Sequence, residues 1–158
     1  MEANIGISAA NRKKVAQLLN ALLADEFLLY VKLLNYHWNV KSDHFRDMHK
    51  LFLDLYEDQL QVCDDVAERV RSLDEASFGT MQEYRKHTQL KEHPGKKLTD
   101  QEMIRNTLED YEAIIRTIRI IAPACMDKYA DLGTNNFLLN LLEKQEKTAW
   151  MLRASLVK

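Results

Sequence analysis

Apolar residues return every three or four positions through four long segments of this chain, and very little interrupts them: 158 residues contain only four Gly and two Pro. That spacing collects the apolar side chains on one face of a helix. So sparing a use of turn-formers also argues against a many-stranded β fold. The first segment runs from about Ala9 to His37, with Val15, Leu18, Leu19, Leu22, Leu23, Leu29 and Leu33 in register and Ser8 available as N-cap. A second opens after Ser42-Asp43, both good caps, and carries Phe45, His49, Phe52, Tyr56, Cys63, Val66, Val70 and Leu73 on one stripe. Thr99-Asp-Gln-Glu102 is a capping box that starts a third helix through Met103, Tyr111, Ile114, Ile115 and Ile118, and Pro123 is expected to kink or end it. Gly133-Thr134 reads as a stop followed by a cap, and Phe137, Leu138, Leu141, Leu142, Ala149, Leu152 and Leu156 form the fourth helix.

Helices one and two are joined by a short turn, as are three and four, whereas a polar stretch from Asp74 to Leu98 separates the two pairs. A short helix at Met81 to His87 fits inside that stretch. A long central connection lets helix three run parallel to helix two, which predicts an all-α, ferritin-like four-helix bundle with one crossover rather than an up-down-up-down bundle. The spacing alone leaves the simpler bundle open. The length suits one domain, residues 1–158.

The formal net charge is −2, which gives no bulk attraction to nucleic acid or to an anionic membrane; a basic patch has to be local. Cys63 and Cys125 lie inside apolar patterns without CxxC or zinc-ligand spacing, so buried thiols in a reducing compartment are expected. No apolar run reaches the ~18 residues of a membrane span, and the N-terminus shows no signal-peptide pattern. A soluble, cytoplasmic protein is the expectation.

Chemistry has to come from polar residues that interrupt the apolar stripes. Asp64 and Glu68 are four apart and face the same way, His49 lies on the inward stripe, and His37 ends the first helix as Tyr36-His37-Trp38-Asn39. Imidazole with carboxylate suits iron, manganese or zinc. Singly, each has a plainer explanation: a hydrogen-bonded core histidine, a solvated acidic face, or ion pairs of Glu68 with Arg69 and Arg71. Distance sharpens the choice. His49 and Asp64 are separated by roughly 22 Å along a straight helix, beyond the reach of one metal within one chain. A di-iron site inside a single bundle needs Glu-x-x-His pairs, and the sequence contains none. If these residues are ligands, they meet across a subunit interface, and a two-fold dimer would create two equivalent sites.

His37-x11-His49 followed by Asp64-x3-Glu68, set in Tyr-His-Trp-Asn-Val-Lys and Asp-Asp-Val-Ala-Glu-Arg, resembles the miniferritins, the DNA-binding proteins from starved cells (Dps). The likeness extends to Trp150-Met-Leu-Arg. It implies a hollow homo-dodecamer with ferroxidase sites at two-fold dimer interfaces, two histidines from one subunit and the Asp and Glu from its partner. The implied substrates are Fe(II) and hydrogen peroxide, and the product is a stored ferric, Fe(III), mineral. By the same resemblance His37, Asp64 and Glu68 hold the tighter iron and His49 belongs to the weaker position. Trp38 is then a radical sink or an interface packing residue, and Asp65 is turned away from Asp64.

Two departures matter. Where the family often has a carboxylate one turn after the second histidine this chain has Leu53, and Asp54 projects about 100° away. The family also lines its three-fold iron-access pores with carboxylates at the start of the last helix; Asp131 matches, Asp127 is a further candidate, and Asn136 stands where an Asp is frequent. DNA binding in the family usually uses a Lys/Arg-rich terminal extension, and here no basic residue precedes Arg12 while Lys158 closes the chain. Twelve copies at −2 would carry about −24, so strong DNA binding is not expected. The competing reading is a DNA-compacting or structural shell with residual metal chemistry.

Overall fold

The computed structural model describes residues 3–156, which form five helices and, among the described residues, no strand. They are α1 (Ala9–Asn39), α2 (Phe45–Ser72), α3 (Met81–His87), α4 (Asp100–Asp127) and α5 (Leu132–Ser155). Four long helices make the bundle expected from the periodicity. The most extensive packing is α1 on α2 and α4 on α5, and α1 also meets α3 and α4. One apolar core runs through all five, with Leu19, Leu22, Leu29 and Leu33 of α1, Phe52 of α2, Ile104, Ile114 and Ile118 of α4, and Leu138 and Leu152 of α5 almost fully buried. Cys63 and Cys125 are buried free thiols.

The capping chemistry explains most helix starts. Ser8 accepts the Asn11 amide at α1, and Thr99 with Glu102 forms the anticipated reciprocal box at α4. Thr80 and Glu83 make a second box at α3, which lets a seven-residue helix hold its place in the crossover.

Three local expectations are corrected. The cap of α2 is His44, without a side-chain hydrogen bond; Ser42 instead accepts the His44 amide and donates to Asp100, tying the α1–α2 turn to the start of α4. Pro123 does not end α4, which continues to Asp127 because Ile121, Ala122 and Cys125 keep its face in the core. Gly133-Thr134 is not the stop and cap of α5. The chain turns at Ala130 (φ 56°), Asp131 is the N-cap, and Gly133 lies inside the helix, with the Arg69 guanidinium 2.8 Å from where a Cβ would be.

Candidate metal centre

The last turn of α1 and the first turns of α2 bring two imidazoles together. His37 and His49 stack with ring centroids 3.8 Å apart, and Tyr56 meets His37 edge-on while Phe45 stacks on His49. Their hydrogen bonds are reciprocal: His37 Nδ1 is 2.9 Å from the His49 carbonyl, and His49 Nδ1 is 2.9 Å from the His37 carbonyl. A carbonyl oxygen only accepts, so each Nδ1 carries the proton and donates. In the neutral ring the lone pair is then on Nε2, and a ring fixed in this way is prepared as a metal ligand. His37 is buried at 9% exposure, and His49 is half-buried.

Asp64 and Glu68 lie on the exposed side of α2, toward its C-terminal end. Neither joins an ion pair among the described residues. The arginines that offered a plainer explanation go elsewhere: Arg69 bonds Asp131 and Thr134, and Arg71 donates to the Glu75 carbonyl. Asp65, also exposed, accepts from Gln61. Among the described residues no three His, Cys, Asp or Glu converge in a metal-holding group. The single chain therefore displays the histidine pair and the carboxylate pair apart, separated along α2 as the residue count requires.

The remaining candidates divide. Leu53 is half-buried, and Asp54 pairs with Lys50 on the exposed face. Trp38 stands 69% exposed beside His37. Asp127 is exposed near the end of α4. Asp131 is 1% exposed: one oxygen accepts the Thr134 amide and the Arg69 guanidinium, and the other accepts the Thr134 hydroxyl. Its carboxylate is engaged in capping α5 and anchoring α2, a role that the sequence pattern does not announce. Asn136 is exposed.

Sequence reasoning also missed a polar cluster at the centre of the bundle. Glu26 of α1 is fully buried; Gln59 of α2 donates to one carboxylate oxygen at 2.6 Å and Gln145 of α5 to the other at 2.7 Å. Tyr111 of α4 donates to the Gln59 carbonyl oxygen at 3.3 Å. Burial pushes the Glu26 carboxyl up to about 7, against the pull of the two amides. The signal was present, because Glu26 falls in the same three-to-four register as Leu22, Leu29 and Leu33. One carboxylate among two amides and a phenol lacks the several carboxylates and histidines of a di-iron site inside a bundle.

The family model for the ferritin-like domain matches residues 16–158. The DNA protection during starvation protein of Helicobacter pylori is 32% identical over 143 residues, covering 90% of this chain and 99% of that one. The chain belongs to the Dps miniferritins. A low temperature-induced protein of Nostoc sp. is 40% identical to this Dps chain over 151 residues, 96% of this chain and 84% of its own. Among solved structures, a Dps protein of Vibrio cholerae, described as a member of the ferritin-like diiron-carboxylate superfamily, superposes with a TM-score of 0.92 at 28% identity, covering 99% of this chain and 98% of that one. The bundle and its crossover are thus those of Dps folds. No helix of this Dps chain among the described residues is long and apolar enough to cross a membrane.

Proposed function

We propose that this Dps chain is a ferroxidase and iron-storage protein that works as a hollow homo-dodecamer, with Fe(II) as substrate and hydrogen peroxide as the preferred oxidant. The observation that carries the reading is the pairing of two imidazoles, tautomer-locked by each other's backbone, with two exposed carboxylates that form no ion pair among the described residues. A two-fold partner would place its Asp64 and Glu68 over His37 and His49 and create two sites per dimer. Exposed Trp38, Phe45 and Leu60 on the α1–α2 side are apolar surface suited to that interface, and Ile120, Leu139 and Trp150 on α4 and α5 suit the other contacts of a closed shell.

At such a site His37, Asp64 and Glu68 hold the tighter iron and His49 the weaker one. Two anionic oxygens beside neutral imidazole favour Fe(III) over Fe(II), which drives the oxidation. Two Fe(II) each release one electron; the peroxide O–O bond accepts both and, with two protons, leaves as two waters. No radical is released in a paired step. Trp38, beside His37, is either a sink for a stray oxidising equivalent or part of the dimer contact. Asp127 is the exposed carboxylate for an iron-access pore, while Asp131 would contribute only by its field. The protein acts in the cytoplasm and protects against oxidative stress without strong DNA binding.

The test is an anaerobic Fe(II) titration followed by peroxide addition. About two Fe(II) consumed per peroxide, with the iron eluting in a particle of about twelve subunits, supports the reading. Iron precipitating outside the protein with hydroxyl radical released would leave a structural or DNA-compacting shell as the better account.

A further inference from the structure

On the side of α1 away from His37, the crossover folds over the helix and encloses a cavity of about 560 Å³, within the usual size of small-molecule sites. Val31, Asn35 and Asn39 line it at four-residue steps, while His37, two residues beyond Asn35, points about 200° around the helix. The lid is a tight turn, His93-Pro94-Gly95-Lys96, closed by the Lys96 amide donating to the His93 carbonyl at 3.3 Å. Gly95 at φ 71° takes the left-handed position that this turn demands after Pro. The turn sets His93 and Lys96 on the cavity wall.

The charge of that wall is one-sided. Lys41, Lys96 and Lys97 line it and join no ion pair among the described residues, against one carboxylate, Glu92. Lys32 also lines it but is buried and paired with Asp110. Among the lining residues these lysines less Glu92 leave two positive charges, one of which, Lys96, also feels the Glu102 carboxylate at the start of α4. His93 separates this cavity from a smaller one of about 230 Å³ along α4, and its Nδ1 is buried without a hydrogen-bond partner. Pro94, Leu98 and Met103 supply apolar wall beside the cations.

We propose that this cavity binds a phosphate dianion, as inorganic phosphate or as a small phosphate monoester whose carbon portion rests on the apolar wall. A monoester carries about −1.5 to −2 near neutral pH, which matches the uncompensated charge. Asn35, whose Oδ1 accepts from Asn39 Nδ2 at 2.9 Å, has its own amide N–H to offer from the floor, and the lysines act as point charges on phosphate oxygens. The site does not depend on the iron reading, since it uses none of the same residues.

Equilibrium dialysis of the assembled protein against radiolabelled inorganic phosphate tests it, beside a Lys96→Gln/Lys97→Gln variant, a Lys41→Gln variant and a Lys13→Gln/Lys14→Gln control at the other end of α1. Size-exclusion chromatography confirms equal assembly. The expected result is saturable binding of about one phosphate per chain, weakened at least tenfold in the first two variants and unchanged in the control, with sulfate competing and chloride not. Equal binding by all variants, or no saturation at millimolar phosphate, overturns the proposal. Duplex DNA retarded in a Lys96- and Lys97-dependent manner while free phosphate fails to bind also overturns it, and reassigns the lysines to a phosphodiester surface.

Discussion

His37 and His49 donate Nδ1–H to each other's backbone carbonyl, so the two rings form one closed hydrogen-bonded unit that joins the end of α1 to the start of α2. His49→Ala therefore removes a proposed ligand, frees the His37 carbonyl and takes away the ring stacked on His37, while the His37 Nδ1–H bond to the backbone carbonyl of residue 49 remains. Iron affinity should fall by more than the loss of a weak ligand alone, about 10–100-fold for a residue that orients another ligand. Isothermal titration with Fe(II) under anaerobic conditions measures it. A loss no greater than that of an Asp54→Ala control would show that the pair does not serve iron.

Sharing of the site between subunits has a numerical signature. Neither His37→Ala nor Asp64→Ala cages should oxidise iron. Cages reassembled from an equal mixture should regain about a quarter of wild-type activity, because half the dimers are mixed and each mixed dimer keeps one intact site of its two. A site built within one chain would regain nothing.

Leu53 is half-buried one turn after His49, on the same helix face, where the proposed second iron position would use a carboxylate. Leu53→Asp should accelerate oxidation at low iron loading, read by stopped-flow absorbance at a few Fe(II) per chain. Unchanged rates would mean that the second iron already finds other ligands.

Glu26 makes stability depend on pH with a definite sign. Its folded carboxyl, raised to about 7 from 4.5, keeps a proton that the unfolded chain has released between those values. The stabilisation is complete below about 4.5 and is lost as pH rises through 7, up to roughly 3 kcal/mol per chain. Glu26→Gln should remove this slope. The buried, unpartnered Gln145 carbonyl oxygen can accept from the new amide if the Gln145 side chain flips. Urea unfolding at fixed protein concentration, from pH 5 to 8, compares the two.

Asp131→Ala deletes the α5 cap and strands Arg69, whose side chain is largely buried. A loss of about 3 kcal/mol in unfolding free energy is expected. If Asp131 instead served only an iron-access pore, iron uptake would slow with no change in stability.

The four long helices were legible because each has an uninterrupted three-to-four periodicity, and the capping boxes fixed where α4 begins. The separation of the candidate histidines from the candidate carboxylates was legible for a simple reason: residue count along a helix is a distance. What escaped depended on contacts distant in sequence. Gly133 looked like a helix stop, yet the reason for a glycine there is an arginine 64 positions earlier. Asp131 reads from the sequence as a pore carboxylate, and its hold on Arg69 and Thr134 is visible only in the fold. Glu26 sits in the apolar register of α1, but its partners, Gln59 and Gln145, come from two other helices and no spacing announces them.

Both ends of α2 are anchored, at His49 by the reciprocal bonds to α1 and at Arg69 by the link to Asp131. Between those anchors the helix is a ruler whose graduations are residues. Inserting one residue between Cys63 and Asp64 would swing the carboxylates by about 100° relative to the histidines, and inserting two full turns would restore the direction but lengthen the ruler by about 10 Å. In the proposed two-fold dimer the partner would be measured by the same ruler in reverse, so any such error would be read at both sites at once. On the proposed reading, the length of this helix specifies the site as much as the identity of any candidate ligand does.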